Sequence, residues 1–274
     1  MNKPKLVICD IDATLVVKHK TLTERAKKAI QKLREKGVYF GIASGRPLYQ
    51  IRENIKEWGY DDFDCVIGLN GGSVWDGIHK KEYSFYPMKK EWLKETYELM
   101  KDFPTEPSLY RDGKEMFLRE STLSEIARNF YANGNVSISE GLDDFLGYDT
   151  GKIMYRLYKE EDMPPIEAWV KNHPNKNWVG FKTGPVLIEF CDKNCNKGFG
   201  TKEFCRLNNI DLADVIAFGD TSNDNEMLEI AGTGVCMLNG SDDTKAVADI
   251  ITDKICDDDG WADFIETHVL PLFE

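Results

Sequence analysis

The chain has 274 residues, 42% of them apolar, and a formal net charge of −12 at pH 7. That length suits two domains or one large one, and no run approaches the roughly 18 apolar residues of a membrane span. The negative charge argues against nucleic acid or an anionic membrane as partner, and an anionic ligand would need local cations to overcome the field.

Residues 1–9 contain one four-residue apolar run, too short for the core of a secretory leader, so a cytoplasmic protein is expected. Seven scattered cysteines fit reduced thiols in that compartment, and the lone C-x3-C of Cys191 and Cys195, without a nearby histidine, is a poor zinc site. The run at 5–9 reads as a buried strand. "TLTERAKKAIQKLREKG" follows as an amphipathic helix, with Thr21 or Thr23 as its cap and Gly37 at its end. "VYFGIAS" is a second strand, "PLYQIRENIKEWG" a second helix with Pro47 in its first turn, and "CVIGLNGG" a third strand running into a glycine loop.

From about 84 to 189 the rhythm changes to aromatic strands ("KIMYRLYK", "WVGFKT", "PVLIEFC") mixed with helices around 90–102, 121–132 and 164–173. From 197 the first rhythm resumes: helix "KGFGTKEFCRLNN", strand "DVIAFGD", helix "NDNEMLEIAG", strand "GVCML", helix "SDDTKAVAD". The expectation is an α/β protein: a doubly wound parallel-sheet core of residues 1–83 and 190–274, interrupted by an inserted α+β domain at 84–189. Ligand sites in such sheets lie at the carboxyl ends of the strands.

The chemistry-bearing residues fall at those ends. Asp10 and Asp12 follow the first strand and Ser44 the second; Lys197 opens the helix after the insertion, and "GDTSNDNEM" carries Asp220, Asn223 and Asp224. Two carboxylates at roughly 4–6 Å repel by about 3–4 kcal/mol at an effective dielectric near 20. Four of them against one lysine need either raised pKa values or a hard divalent cation, and an all-oxygen donor set favours magnesium with a substrate phosphate. In such a site a carboxylate can attack phosphorus, a second can move the leaving group's proton, and a lysine and a hydroxyl can hold the equatorial oxygens. Taken singly, a Ser, Asp or Asn after a strand is as readily a turn or helix cap, and Lys197 alone would be a surface lysine. Asp10 and Asp12 lack that structural excuse at the end of a buried strand. His19, His79, His173 and His268 fall outside every motif, "GIASGR" is not a nucleophile elbow, and "GYDTGK" is one residue short of a phosphate-cradling nucleotide loop.

As a set, "DIDATL", "IASGR", "NKG" and "GDTSNDNEM" resemble, in order and spacing, the four motifs of the haloacid dehalogenase-like (HAD) hydrolase superfamily, and the insertion resembles the type IIB cap of its Cof-type phosphatase branch. The resemblance implies a cytoplasmic, magnesium-dependent phosphatase of small phosphorylated metabolites, with a cap that sets specificity. By position it implies Asp10 as nucleophile and metal ligand, and Asp12 as general acid/base and ligand through its carbonyl. Asp220 would be the third protein ligand and Asp224 an outer or water-mediated partner. Ser44, Gly45, Lys197 and Asn223 would bind phosphate, while Asn70 and Arg46 would line the crevice. A phosphotransferase such as a sugar-phosphate mutase, or a catalytically weak sugar-phosphate-binding protein, are the alternatives. Ala13 stands where the resemblance calls for glycine, and its methyl group would strain the loop by about 1 kcal/mol if the backbone there favours glycine. Neither the substrate nor an oligomeric state is legible.

Overall fold

A computed structural model describes residues 2–18, 21–130 and 135–274. The chain divides into two compact units, Met1–Phe85 with Cys195–Glu274, and Tyr86–Asn194.

The first unit is built on strands β1 (Leu6–Cys9), β2 (Tyr39–Ala43), β3 (Cys65–Gly68), β4 (Ser73–Asp76) and β5 (Lys81–Ser84). The second contains β6 (Thr105–Arg111), β7 (Lys114–Phe117), β8 (Val136–Ile138), β9 (Ile153–Leu157), β10 (Trp178–Gly184) and β11 (Leu187–Asp192). The chain then returns to the first unit with β12 (Val215–Gly219), β13 (Thr233–Cys236) and β14 (Ile250–Ile251).

The first unit's sheet runs β14-β13-β12-β1-β2-β3-β4-β5, parallel from β14 to β3, with β4 and β5 added antiparallel at one edge. Its central parallel strands are largely apolar because both faces are covered. In β1, Val7 and Cys9 join one core with Phe40, Ile42 and Ile30, while Leu6 and Ile8 join another with Ile67, Phe204 and Met227. The helix Glu24–Glu35 buries Ala26, Ala29, Ile30 and Leu33, and Thr23, not Thr21, caps it by accepting from the Ala26 N–H. Pro47 sits one place before the helix Leu48–Glu57 rather than in its first turn. Connections from β1 lead to β2 on one side, whereas β12 leads to β13 on the other, so the order reverses between β1 and β12. Such a switch point opens a crevice at the strand ends.

The inserted unit is a mixed sheet ordered β10-β11-β9-β6-β7-β8, antiparallel apart from the β7–β8 pair. Leu109, Ile153, Tyr155, Ile188 and Phe190 pack against Leu93 and Met100 of the helix Lys90–Met100 and against Ile166 and Val170 of the helix Met163–Lys171. The sequence reading closes this insertion at 189, but β11 continues to Asp192, paired with β9 and β10, so the boundary lies further on. The helix expected at 121–132 spans Thr122–Phe130; 131 and 132 lie outside the described residues, as does His19.

Candidate active site

β1 and β12 are in register at Cys9 and Phe218, and the Asp10 N–H donates to the Phe218 carbonyl at 3.0 Å. The residues that follow each strand, Asp10 and Asp220, therefore stand side by side at the switch point. Asp224 joins them because the turn after β12 folds back: its Oδ2 accepts from the N–H groups of Asp220 (3.0 Å) and Thr221 (3.1 Å). That return is close, since a Cβ on Gly219 would lie 2.4 Å from the Asp224 Cβ. One oxygen each from Asp10, Asp220 and Asp224 lies within 4.8 Å of the others, and all three side chains are buried.

Lys197, 1% exposed, is the cation among them. Asn196 caps its helix, Lys197–Asn208, by accepting from the Phe199 N–H, which aims the first turn at the strand ends. The Lys197 Nζ donates to Asp10 Oδ1 at 2.5 Å and to Asp224 Oδ1 at 2.6 Å. Thr14, fully buried, donates to Asp220 Oδ1 at 2.8 Å.

One ammonium does not neutralise three buried carboxylates. Burial, then the Asp224 and Asp220 charges, pushes Asp10 up to about 8 despite the opposing Lys197. Burial and Asp224 push Asp220 up to about 6. Burial works against the Lys197 charge, but Asp10 and Asp224 outweigh it and hold its proton more firmly than usual. The donors left over are all oxygen and carry an excess of negative charge, which suits a hard dication. Asp224 already serves Lys197 with one oxygen and two main-chain N–H groups with the other, so Asp10 and Asp220 are the side chains with capacity to hold an ion directly.

Asp12 is placed differently. Its carboxylate, about a third exposed, turns from the acidic cluster to Arg46, whose Nη2 donates to Oδ2 at 2.6 Å and Oδ1 at 2.8 Å. Ala13 has φ 60, so an alanine occupies a left-handed position that favours glycine. Its carbonyl accepts from Asn239 Nδ2 at 2.9 Å, while Asn239 Oδ1 accepts from the Cys256 N–H at 2.7 Å.

Ser44 and Asn70 form the opposite rim. The Ser44 N–H donates to the Ile67 carbonyl, its Oγ accepts from the Arg46 N–H at 3.2 Å, and its carbonyl accepts from the Asn70 N–H at 3.0 Å. Asn70 is buried at φ 52, and its Oδ1 accepts from Asn223 Nδ2 at 3.3 Å. A Cβ on Gly45 would meet that Asn70 amide at 3.4 Å. The next residue, Gly71 at φ 99, lies so close to the start of the Lys197 helix that a Cβ would stand 2.1 Å from the Asn196 carbonyl.

All ten residues singled out in the sequence thus border β1, β2, β3 and β12 at one end, but Asp12 and Arg46 face each other rather than the buried acids. Sequence reading missed Thr14, Asn54 (which accepts from Arg46) and Asn239. Thr14 sits within "DIDATL", and its fixed spacing was the one available signal. His79 pairs with Asp76, His173 with the Trp169 carbonyl and His268 with Thr267, and the seven cysteines are buried. Among the described residues no helix is long and apolar enough to cross a membrane.

Comparison with known proteins finds similarity over nearly the whole chain. The chain is 27% identical, over 97% of its length and 98% of the relative's, to the 5-amino-6-(5-phospho-D-ribitylamino)uracil phosphatase YitU of Bacillus subtilis. In fold it matches TM0651 of Thermotoga maritima (TM-score 0.81, 23% identity, 97% of each chain). It also matches a HAD subclass IIB sugar phosphatase (TM-score 0.78, 20% identity, 97% of this chain and 99% of that one). The model of the haloacid dehalogenase-like hydrolases matches residues 7–265. The chain belongs to the haloacid dehalogenase-like hydrolase family, as one of its phosphatases.

Proposed function

We propose that the protein is a magnesium-dependent phosphatase that hydrolyses small phosphomonoesters, sugar phosphates or related metabolites, through an aspartyl-phosphate on Asp10. The observation that carries this reading is the buried set of Asp10, Asp220 and Asp224 around a single Lys197 at the sheet's switch point. Asp10 attacks phosphorus, the bond to the leaving oxygen breaks, and Asp12 gives that oxygen a proton. Water then attacks the phosphorus of aspartyl-phosphate and yields its proton to Asp12; the bond to Asp10 breaks and inorganic phosphate leaves. Lys197, Ser44, Gly45 and Asn223 hold the equatorial phosphoryl oxygens, where transition-state charge gathers.

Magnesium would be held by the Asp10 and Asp220 carboxylates and the Asp12 main-chain carbonyl, with Asp224 acting through water. Bound there, it supplies charge neutralisation at the phosphoryl oxygens. Asn70 shapes the rim by fixing Asn223. Substrate choice is assigned to the inserted unit, and the names of a phosphoribityl-compound phosphatase and a sugar phosphatase among the comparisons support a small phosphorylated polyol or sugar. Asp10→Asn tests the reading: phosphate release from 4-nitrophenyl phosphate with magnesium should vanish while the circular dichroism spectrum is kept. Full activity in that variant contradicts it. A panel of phosphorylated metabolites, assayed with and without magnesium, identifies the substrate.

A further inference from the structure

Arg46 does more than border the site. Its Nη2 donates to both Asp12 oxygens and its Nη1 donates to Asn54 Oδ1 at 2.9 Å, so both ends of the guanidinium are engaged within the first unit. Its main-chain N–H is tied to Ser44 Oγ, and Asn54 sits on the helix Leu48–Glu57, where its Nδ2 reaches Glu57 Oε2 at 3.4 Å. Asp12, by contrast, stands on a loop with a left-handed residue beside it and a partly exposed carboxylate. Such a side chain samples several rotamers unless something holds it, and misplacement by about 1 Å can cost roughly 100-fold in rate. The sequence reading put Arg46 against substrate; the geometry puts it against Asp12.

We propose that Arg46, itself fixed by Asn54, is a positioning residue that orients the Asp12 carboxylate for proton transfer to the leaving oxygen. This rests on the reading of Asp12 as the proton carrier. One guanidinium nitrogen shared between two carboxylate oxygens takes a single lone pair from each, which leaves lone pairs on Asp12 free to carry the proton that it passes to the leaving oxygen. Arg46 therefore fixes the carboxylate without consuming it. Arginine suits the task because its fork spans Asp12 and Asn54 at once, which a lysine ammonium cannot.

Three aryl phosphates whose leaving phenols differ in acidity test this on the full chain with magnesium: 4-nitrophenyl, phenyl and 4-methoxyphenyl phosphate. A good leaving group needs little help from an acid, and a poor one needs much. Arg46→Gln should lower kcat/KM for phenyl phosphate by roughly 100-fold and for 4-nitrophenyl phosphate by only a few-fold, steepening the dependence on leaving-group acidity. Asn54→Ala should tilt the dependence the same way to a smaller extent, and Arg46→Lys should bring the steepened slope part of the way back to that of the unmodified chain. An equal loss for all three esters, a rise in KM alone, or no change overturns the proposal and returns Arg46 to substrate contact or to plain structure. If Arg46→Gln does not fold, the slope for Asn54→Ala decides. An unmodified chain that releases phosphate from none of the three would overturn the phosphatase reading first, and the proposal with it.

Discussion

Loading the acidic site with a dication should release protons, and the amount follows from the structure. Without an ion, Asp10 is pushed up to about 8 and Asp220 to about 6, both chiefly by burial. At pH 7, about nine-tenths of Asp10 and about one-tenth of Asp220 would carry a proton, so an ion that needs both ionised displaces about one proton. The figure is about 1.5 at pH 6 and about 0.1 at pH 9. The apparent magnesium affinity should therefore rise roughly tenfold between pH 6.5 and 7.5 and level off above about pH 8.5.

The same shifts act on the metal-free fold with a definite sign. A carboxyl whose pKa rises on folding binds more protons in the native state than in the unfolded one. Metal-free stability should thus fall as pH rises from about 4 to about 8, and magnesium should restore it at the upper end. Titration calorimetry in two buffers of different protonation enthalpy counts the protons directly. Proton release near zero at pH 7, with an affinity flat from pH 6 to 8, would refute the assignment of ion binding to these buried carboxyls.

Two further outcomes follow from the loops around the site. Gly219→Ala places a methyl 2.4 Å from the Asp224 Cβ, so Asp224 and with it Lys197 must shift; a loss of about 1–3 kcal/mol on chemical unfolding and a fall in kcat of at least tenfold are expected, and wild-type values would contradict this close packing. Ala13→Gly removes the left-handed strain at φ 60 but adds freedom to the unfolded chain; stability should change by less than about 1 kcal/mol and kcat should hold or rise, and a large fall in both would show that the alanine methyl is needed.

Much of this could be read in the sequence because burial on both faces leaves a plain trace. The near-continuous apolar strands announced the parallel sheet, and carboxylates ending such a strand had no structural reason to be there. The β4–β5 hairpin was missed because its strands are short and β5 is largely exposed, so neither alternation nor an apolar run marks it. In the inserted unit β6 to β8 were missed for a similar reason: buried polar residues such as Glu106, Ser108 and Glu115 interrupt the pattern that signals a strand. The partnership of Asp12 with Arg46 is a matter of side-chain direction on a partly exposed loop, which no spacing encodes. Asn239 reaches the Ala13 carbonyl across 226 positions of chain, a contact that only the folded β13–β14 edge creates.

The proposed chemistry needs an ion held between Asp10 and Asp220. Anomalous diffraction from crystals grown with manganese in place of magnesium measures this most directly. A single strong peak within coordination distance of both carboxylates is the expected result. A peak at Asp12 or elsewhere, or none at saturating manganese, would contradict it.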